Sequence, residues 1–204
     1  MAGARARAST GAARRRRRGA QADRDGLRSG AARRRRHRGR LRAPELAGAP
    51  GFYRARAALA PYAATLEGEP AVDLAAIVQR IEALSAAVTI VEGAGGVLVP
   101  LDDARDVLDL ARAIDASVVL VGKDELGVLS HALTAALAVR ARGLTLAGVV
   151  LTERAAPDPS ARTNAAILRP RLGCPVLRMP HARDDDDALA DAAEEIARAL
   201  APAP

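Results

Sequence analysis

Apolar positions recur along this chain with two different periods, and the changes of period mark the elements. An Ala-rich stretch over residues 59–69 runs into the breaker string Glu67-Gly68-Glu69-Pro70. Leu74, Ile77, Val78, Ile81 and Leu84 then follow Asp73 at helical spacing, which predicts a helix over 73–86 capped by Asp73. The β-branched run at 88–91 predicts a buried parallel strand. A second amphipathic helix is expected over 103–113, with Val107, Leu108, Leu110 and Ala111 facing inward. Beyond it, residues 117–121 read as a strand, 122–127 as a loop and 128–140 as a helix. Residues 146–151 read as a strand, 164–172 as a short helix and 175–177 as a brief strand. A last helix is expected over about 184–200, where Asp184, Asp185, Asp186 and Asp187 complement the dipole at its start. Strands alternating with helices predict an α/β domain on a mainly parallel sheet.

The front of the chain shows neither period. Residues 1–43 hold 16 Arg and 2 Asp, a net charge of +14, while residues 44–204 hold 15 basic and 22 acidic residues, a net charge of −7. The overall +7 therefore conceals a mildly acidic body behind a very basic segment. Leu27 and Leu41 are that segment's only large aliphatics after Met1, so it cannot bury enough apolar surface to offset the entropy of ordering. The expected organisation is a disordered Arg-rich segment over 1–43 and one α/β domain over 44–204. Three readings fit the segment. The preferred one is an out-of-frame or misassigned start in a GC-rich gene, since Ala, Arg, Gly and Pro have GC-rich codons. The second is a tail whose arginine blocks at 14–18 and 33–36 bind nucleic-acid phosphates without sequence preference. The third is an inert tail. No aromatics interleave with the arginines to stack bases.

Composition narrows the setting. A chain of 204 residues suits one domain with a sizeable core. A single cysteine, Cys174, rules out an internal disulfide and fits a reducing cytoplasm. No apolar run is long enough to span a membrane, and no apolar stretch follows the arginines as in a secretory signal.

Two stretches carry candidate chemistry. In VTIVEGAGGVLVPL (88–101), Glu92 follows the expected strand and Gly93-Ala94-Gly95-Gly96 follows Glu92. A carboxylate at the carboxyl end of a parallel strand sits where open α/β sheets bind ligands, and it could hold Mg²⁺ with phosphate oxygens completing the shell. An ordinary turn with a solvated Glu is the competing reading. In VGKDELGVLSH (121–131), Gly127 permits an unusual backbone angle, and the N–H groups opening the next helix make a carboxylate or phosphate site. Ser130 could add a hydroxyl, although an ordinary βα loop is equally compatible. Lys123 and His131 read as solvated or packing residues rather than catalysts.

Taken together, VEGAGGVLVPL, LGVLSHALTA and RGLTLAGVVL, in this order and spacing, resemble dethiobiotin synthase over about residues 60–180. Cobalamin-pathway amidases carry strings like VEGAGG, but this chain has no Cys-His pair in a glutaminase context. The resemblance implies a P-loop-NTPase-like three-layer α/β domain, a homodimer in the cytoplasm, and the cofactors ATP and Mg²⁺. It implies 7,8-diaminononanoate and CO₂ as substrates: an amine becomes a carbamate, ATP phosphorylates it, and the second amine closes a cyclic urea with loss of phosphate. By position, Glu92 would be the metal ligand, with Gly93, Ala94 and Gly95 beside the phosphates. Leu126, Gly127, Val128, Leu129 and Ser130 would take the substrate carboxylate at the helix N-terminus, contributed across the dimer to the partner subunit's site. Thr152 and Glu153 stand where the family has Asn-Asp reading adenine, and Arg178, Met179 and Pro180 at its adenine-flanking loop. Thr lacks the carboxamide's paired donor and acceptor.

One departure is large. The family's G-x-x-x-x-G-K-[ST] loop, the strand before it and a further catalytic lysine have no counterpart: Lys123 is the only lysine, and no Gly-Lys-Ser/Thr occurs. No catalytic residue can therefore be assigned. The expected function is an ATP- and Mg-dependent cyclo-ligase of biotin biosynthesis impaired by loss of that loop. The alternative is a non-catalytic homologue with a nucleic-acid-binding tail. Loss of an interior strand is also expected to leave an unpaired sheet edge.

Overall fold

Three β-branched runs form strands in a computed structural model that describes residues 52–200 apart from 57, 85, 94 and 182–185. β1 (Val118–Lys123), β2 (Leu146–Thr152) and β3 (Val176–Met179) lie side by side in that order, and both pairings are parallel. Parallel neighbours need a crossover. α4 (Val128–Ala141) supplies it between β1 and β2, and α5 (Ala161–Leu172) between β2 and β3. Ahead of the sheet come α1 (Pro61–Leu66), α2 (Leu74–Glu82) and α3 (Val107–Ala113); behind it comes α6 (Asp186–Leu200).

Register decides which side chains share a face. Leu120 pairs with Val149, Gly122 with Leu151, and Val149 with Val176. Leu120, Val149, Leu151 and Val176 thus point one way, into a core with Val128, Ala132, Ala136 and Val139 of α4 and Ala165, Leu168 and Leu172 of α5. On the opposite face, a Cβ at Gly148 would sit 2.5 Å from Leu200 Cδ2, so the glycine lets α6 lie close against β2. Helices on both faces of the sheet make the expected three layers. α6 reaches β2 and β3, while Val119 and Val121 of β1 stay 39% and 67% exposed on that face.

A second core joins Val72, Leu74, Ile77 and Ile81 to Leu101 and Leu110. α3 ties the two cores together, with Leu108 in the first and Leu110 in the second. Arg142, just past α4, clamps the start of α3 by donating to Asp109 at 2.8 Å and to Asp106 at 2.7 Å.

Several boundaries differ from those the periodicity predicts. α2 has the expected cap, Asp73 accepting the Ala76 N–H at 2.9 Å, but it stops at Glu82 rather than 86. α3 starts at Val107 rather than 103, because Asp106 and Asp109 form a reciprocal capping box. The acidic stretch before it folds into a turn in which Asp102 accepts the N–H groups of Ala104 and Arg105. α5 begins three residues earlier than expected, at Ala161. β3 runs on to Met179, which places Arg178 and Met179 in a strand rather than a loop.

The largest correction concerns residues 88–91. They form no strand, and Val88 and Ile90 are 76% and 64% exposed, while Val91 packs against the second core. A strand needs a neighbour to take its N–H and C=O groups. Among the described residues β1 pairs only with β2, and no strand lies beside 88–91. Residues 1–43, Asp184 and Asp185 lie outside the described residues. Among those described, no helix is long and apolar enough to cross a membrane.

Candidate functional site

The carboxyl ends of the three strands are held in line one residue beyond the ladder. The Asp124 N–H donates to the Thr152 carbonyl at 2.9 Å, and the Glu153 N–H to the Met179 carbonyl at 2.9 Å. Asp124, Glu153 and Arg178 consequently line one cavity of about 190 Å³, closed by Arg154, Pro157, Asp158, Ala161 and Arg162 from the loop into α5. Pockets for whole small ligands run to roughly 300–1,000 Å³, so this one has room for part of a nucleotide.

Its floor is polar. Asp124 is 2% exposed, and its Oδ1 accepts the Asn164 amide at 2.8 Å. Asp124 Oδ2 is buried with no hydrogen-bond donor; the nearest cation, Arg178 Nε, stands 3.4 Å away. Arg178 also donates to the Ala161 carbonyl. Asp158 accepts the Ser160 N–H at 2.9 Å and its hydroxyl at 2.6 Å, and those bonds, with the Leu126 N–H, hold its carboxyl below the usual range. Glu125 pairs with Arg154. The loop after β1 is therefore tied to the loop after β2 by Glu125–Arg154 and to α5 by Asp124–Asn164.

The candidate substrate loop lies beside this cavity. Gly127 caps α4 with φ +100°, a left-handed angle that favours glycine. Val128 is buried and Leu129 half-buried, whereas Leu126, Ser130 and His131 are exposed. Lys123 is exposed at the end of β1. Thr152 donates its hydroxyl to the Gly122 carbonyl at 3.2 Å, so that group already serves the sheet. Pro180 follows β3 directly.

The glycine-rich stretch is not part of the cavity wall. A Cβ on Gly93 would stand 2.8 Å from Val107 Cγ1, so close packing on α3 accounts for that glycine. Gly95 has φ +80°, and Ala94 lies outside the described residues. Glu92 is exposed. Among the described residues, no three His, Cys, Asp or Glu side chains gather in a metal-binding group.

Asp124, Asn164, Asp158 and Ser160 escaped sequence reasoning as site residues. Asn164 did leave a signal: it shares the buried stripe of α5 with Leu168 and Leu172, a polar residue on an inward face that asks for a buried partner.

These features define an α/β domain with a polar cavity at the carboxyl edge of its parallel sheet. The chain belongs to the AAA domain family, whose model matches residues 39–182. More narrowly, it is similar to ATP-dependent dethiobiotin synthetases. It is 42% identical over 137 residues to that of Anaeromyxobacter sp. (strain Fw109-5), covering 65% of this chain and 61% of the relative. It is 41% identical over 133 residues to that of Aromatoleum aromaticum (64% and 59%). It is 35% identical over 128 residues to that of Haloferax mediterranei (60% and 54%). The match to the dethiobiotin synthase family read from the motifs is borne out, and the chain spans between half and two thirds of the length of these relatives.

Proposed function

We propose that this chain carries the base-binding and substrate-carboxylate-binding parts of an ATP-dependent dethiobiotin synthetase. The supporting observation is the carboxyl-edge cavity lined by Asp124, Glu153 and Arg178, with Gly127 opening α4 a few residues beyond Asp124, together with the relatives' named activity. In that reaction 7,8-diaminononanoate takes up CO₂ as a carbamate, ATP phosphorylates it, and the second amine displaces phosphate to close the cyclic urea. The chain's own part is positional: the N–H groups at the start of α4 hold the nonanoate carboxylate, and the cavity holds the base. A homodimer and a cytoplasmic location belong to the same reading.

The residues do not fit a protein-built Mg²⁺ site, since Glu92 is one exposed carboxylate with no metal-binding cluster among the described residues. The ion would have to arrive with ATP's phosphates, a mode in which one or two carboxylates suffice. Within these 204 residues there is also no Gly-Lys-Ser/Thr to cradle phosphates. Ligand binding without efficient turnover is the consequence.

Calorimetric titration with 7,8-diaminononanoate tests the reading. The acid should bind, and its methyl ester, which lacks the anionic carboxylate, should bind about tenfold more weakly or worse. Equal binding of acid and ester would refute the carboxylate site. The missing phosphate loop also favours a second reading, a non-catalytic homologue with a nucleic-acid-binding basic tail. Absence of acid binding with steeply salt-dependent RNA binding would point there.

A further inference from the structure

Asp124 carries an unmet hydrogen-bond requirement that neither the fold nor the substrate loop uses. Its side chain is almost fully buried, yet it lines the cavity between the ends of β1, β2 and β3. Asn164 fixes one oxygen through a 2.8 Å bond and so sets the plane of the carboxylate. The other oxygen receives no donor, because Arg178 Nε stays at 3.4 Å while the same guanidinium donates to the Ala161 carbonyl. Buried acceptors are nearly always satisfied, so one left open on a cavity wall calls for a donor from whatever fills the cavity, water or ligand. Thr152, at the position expected to read the base, has its hydroxyl engaged by Gly122.

We propose that Asp124 reads the nucleobase by accepting an N–H of its exocyclic amine on Oδ2, and so sets a preference for an amino base over an oxo base. This rests on the nucleotide-binding reading above. A 6-amino purine offers a donor to Oδ2, with its ring nitrogen as an acceptor facing Arg178. A 6-oxo purine sets carbonyl lone pairs against the carboxylate instead. Sites built to bond a polar group reject analogues lacking it strongly, because the site's own group is left unpaired.

Titration of the full chain with adenosine and inosine, and with ATP and ITP, tests the assignment. The parent should prefer the amino member of each pair by about tenfold or more. In Asp124→Asn the oxygen stays on Asn164 and the new amide N–H faces the cavity, so the preference should fall away or invert toward inosine and ITP. Thermal melting of the variant confirms that it folds, and Glu82→Gln, exposed on α2 and outside the cavity lining, should keep the parent's preference. Nucleotide binding with equal affinity for both bases in the parent overturns the role of Asp124 and leaves the nucleotide site standing. An unchanged preference in a folded Asp124→Asn protein does the same. Absence of binding by any of the four ligands overturns both readings.

Discussion

Asp158 shows how much one half-buried carboxylate can organise. It accepts the Ser160 N–H and hydroxyl at the start of α5. Because the hydroxyl and N–H bonds hold its folded titration below that of the unfolded chain, its stabilisation is complete above about pH 4 and is lost as pH falls through the lower folded value. The urea midpoint of the parent should therefore fall more steeply on acidification below about pH 4 than that of Asp158→Asn. Parallel slopes would contradict the link. At this scale the sequence was only partly legible. The left-handed Gly127 and the cap Asp73 announced themselves through local rules of turn and helix chemistry. Asp124 and Asn164 did not, since they stand 40 residues apart and only the crossover through α4 and β2 brings them together.

At the scale of elements, β1 separates what is buried from what is merely apolar. Leu120 is 8% exposed against α4, and its neighbour Val121 is 67% exposed on the face that α6 leaves open. Leu120→Ala should cost about 2–5 kcal/mol, as cavity-forming substitutions do. Val121→Ala should change stability by less than about 0.5 kcal/mol, as at surface positions. Denaturant titration of both variants measures the difference, and equal losses would show that Val121 is packed after all. The helices and the three strands after residue 116 were legible because each has a neighbour matching its period. Helix starts were less so, since the capping box of Asp106 and Asp109 outweighs the earlier acids at 102 and 103. The run 88–91 has strand chemistry without a strand's partner, and periodicity reads the first without seeing the second.

Across the whole molecule the chain divides by charge and by what it can hold. A body of net charge −7 carries the family's motifs, while the segment of net charge +14 ahead of it carries none. On the proposed reading, the carboxyl edge of the sheet holds a base and a carboxylate. The lysine-bearing loop that would neutralise phosphates is missing from the sequence, and Lys123, the only lysine, is exposed at the end of β1. Phosphoryl transfer draws most of its acceleration from such positioned charge, so the proposed function expects ligand binding and turnover to separate in this chain. The decisive measurement is dethiobiotin formation by the purified chain supplied with ATP, Mg²⁺, bicarbonate and 7,8-diaminononanoate. The account predicts product no faster than in the enzyme-free control, from protein that still binds the diamino acid. Robust dethiobiotin formation would contradict it and show that groups other than a phosphate-loop lysine carry the transfer.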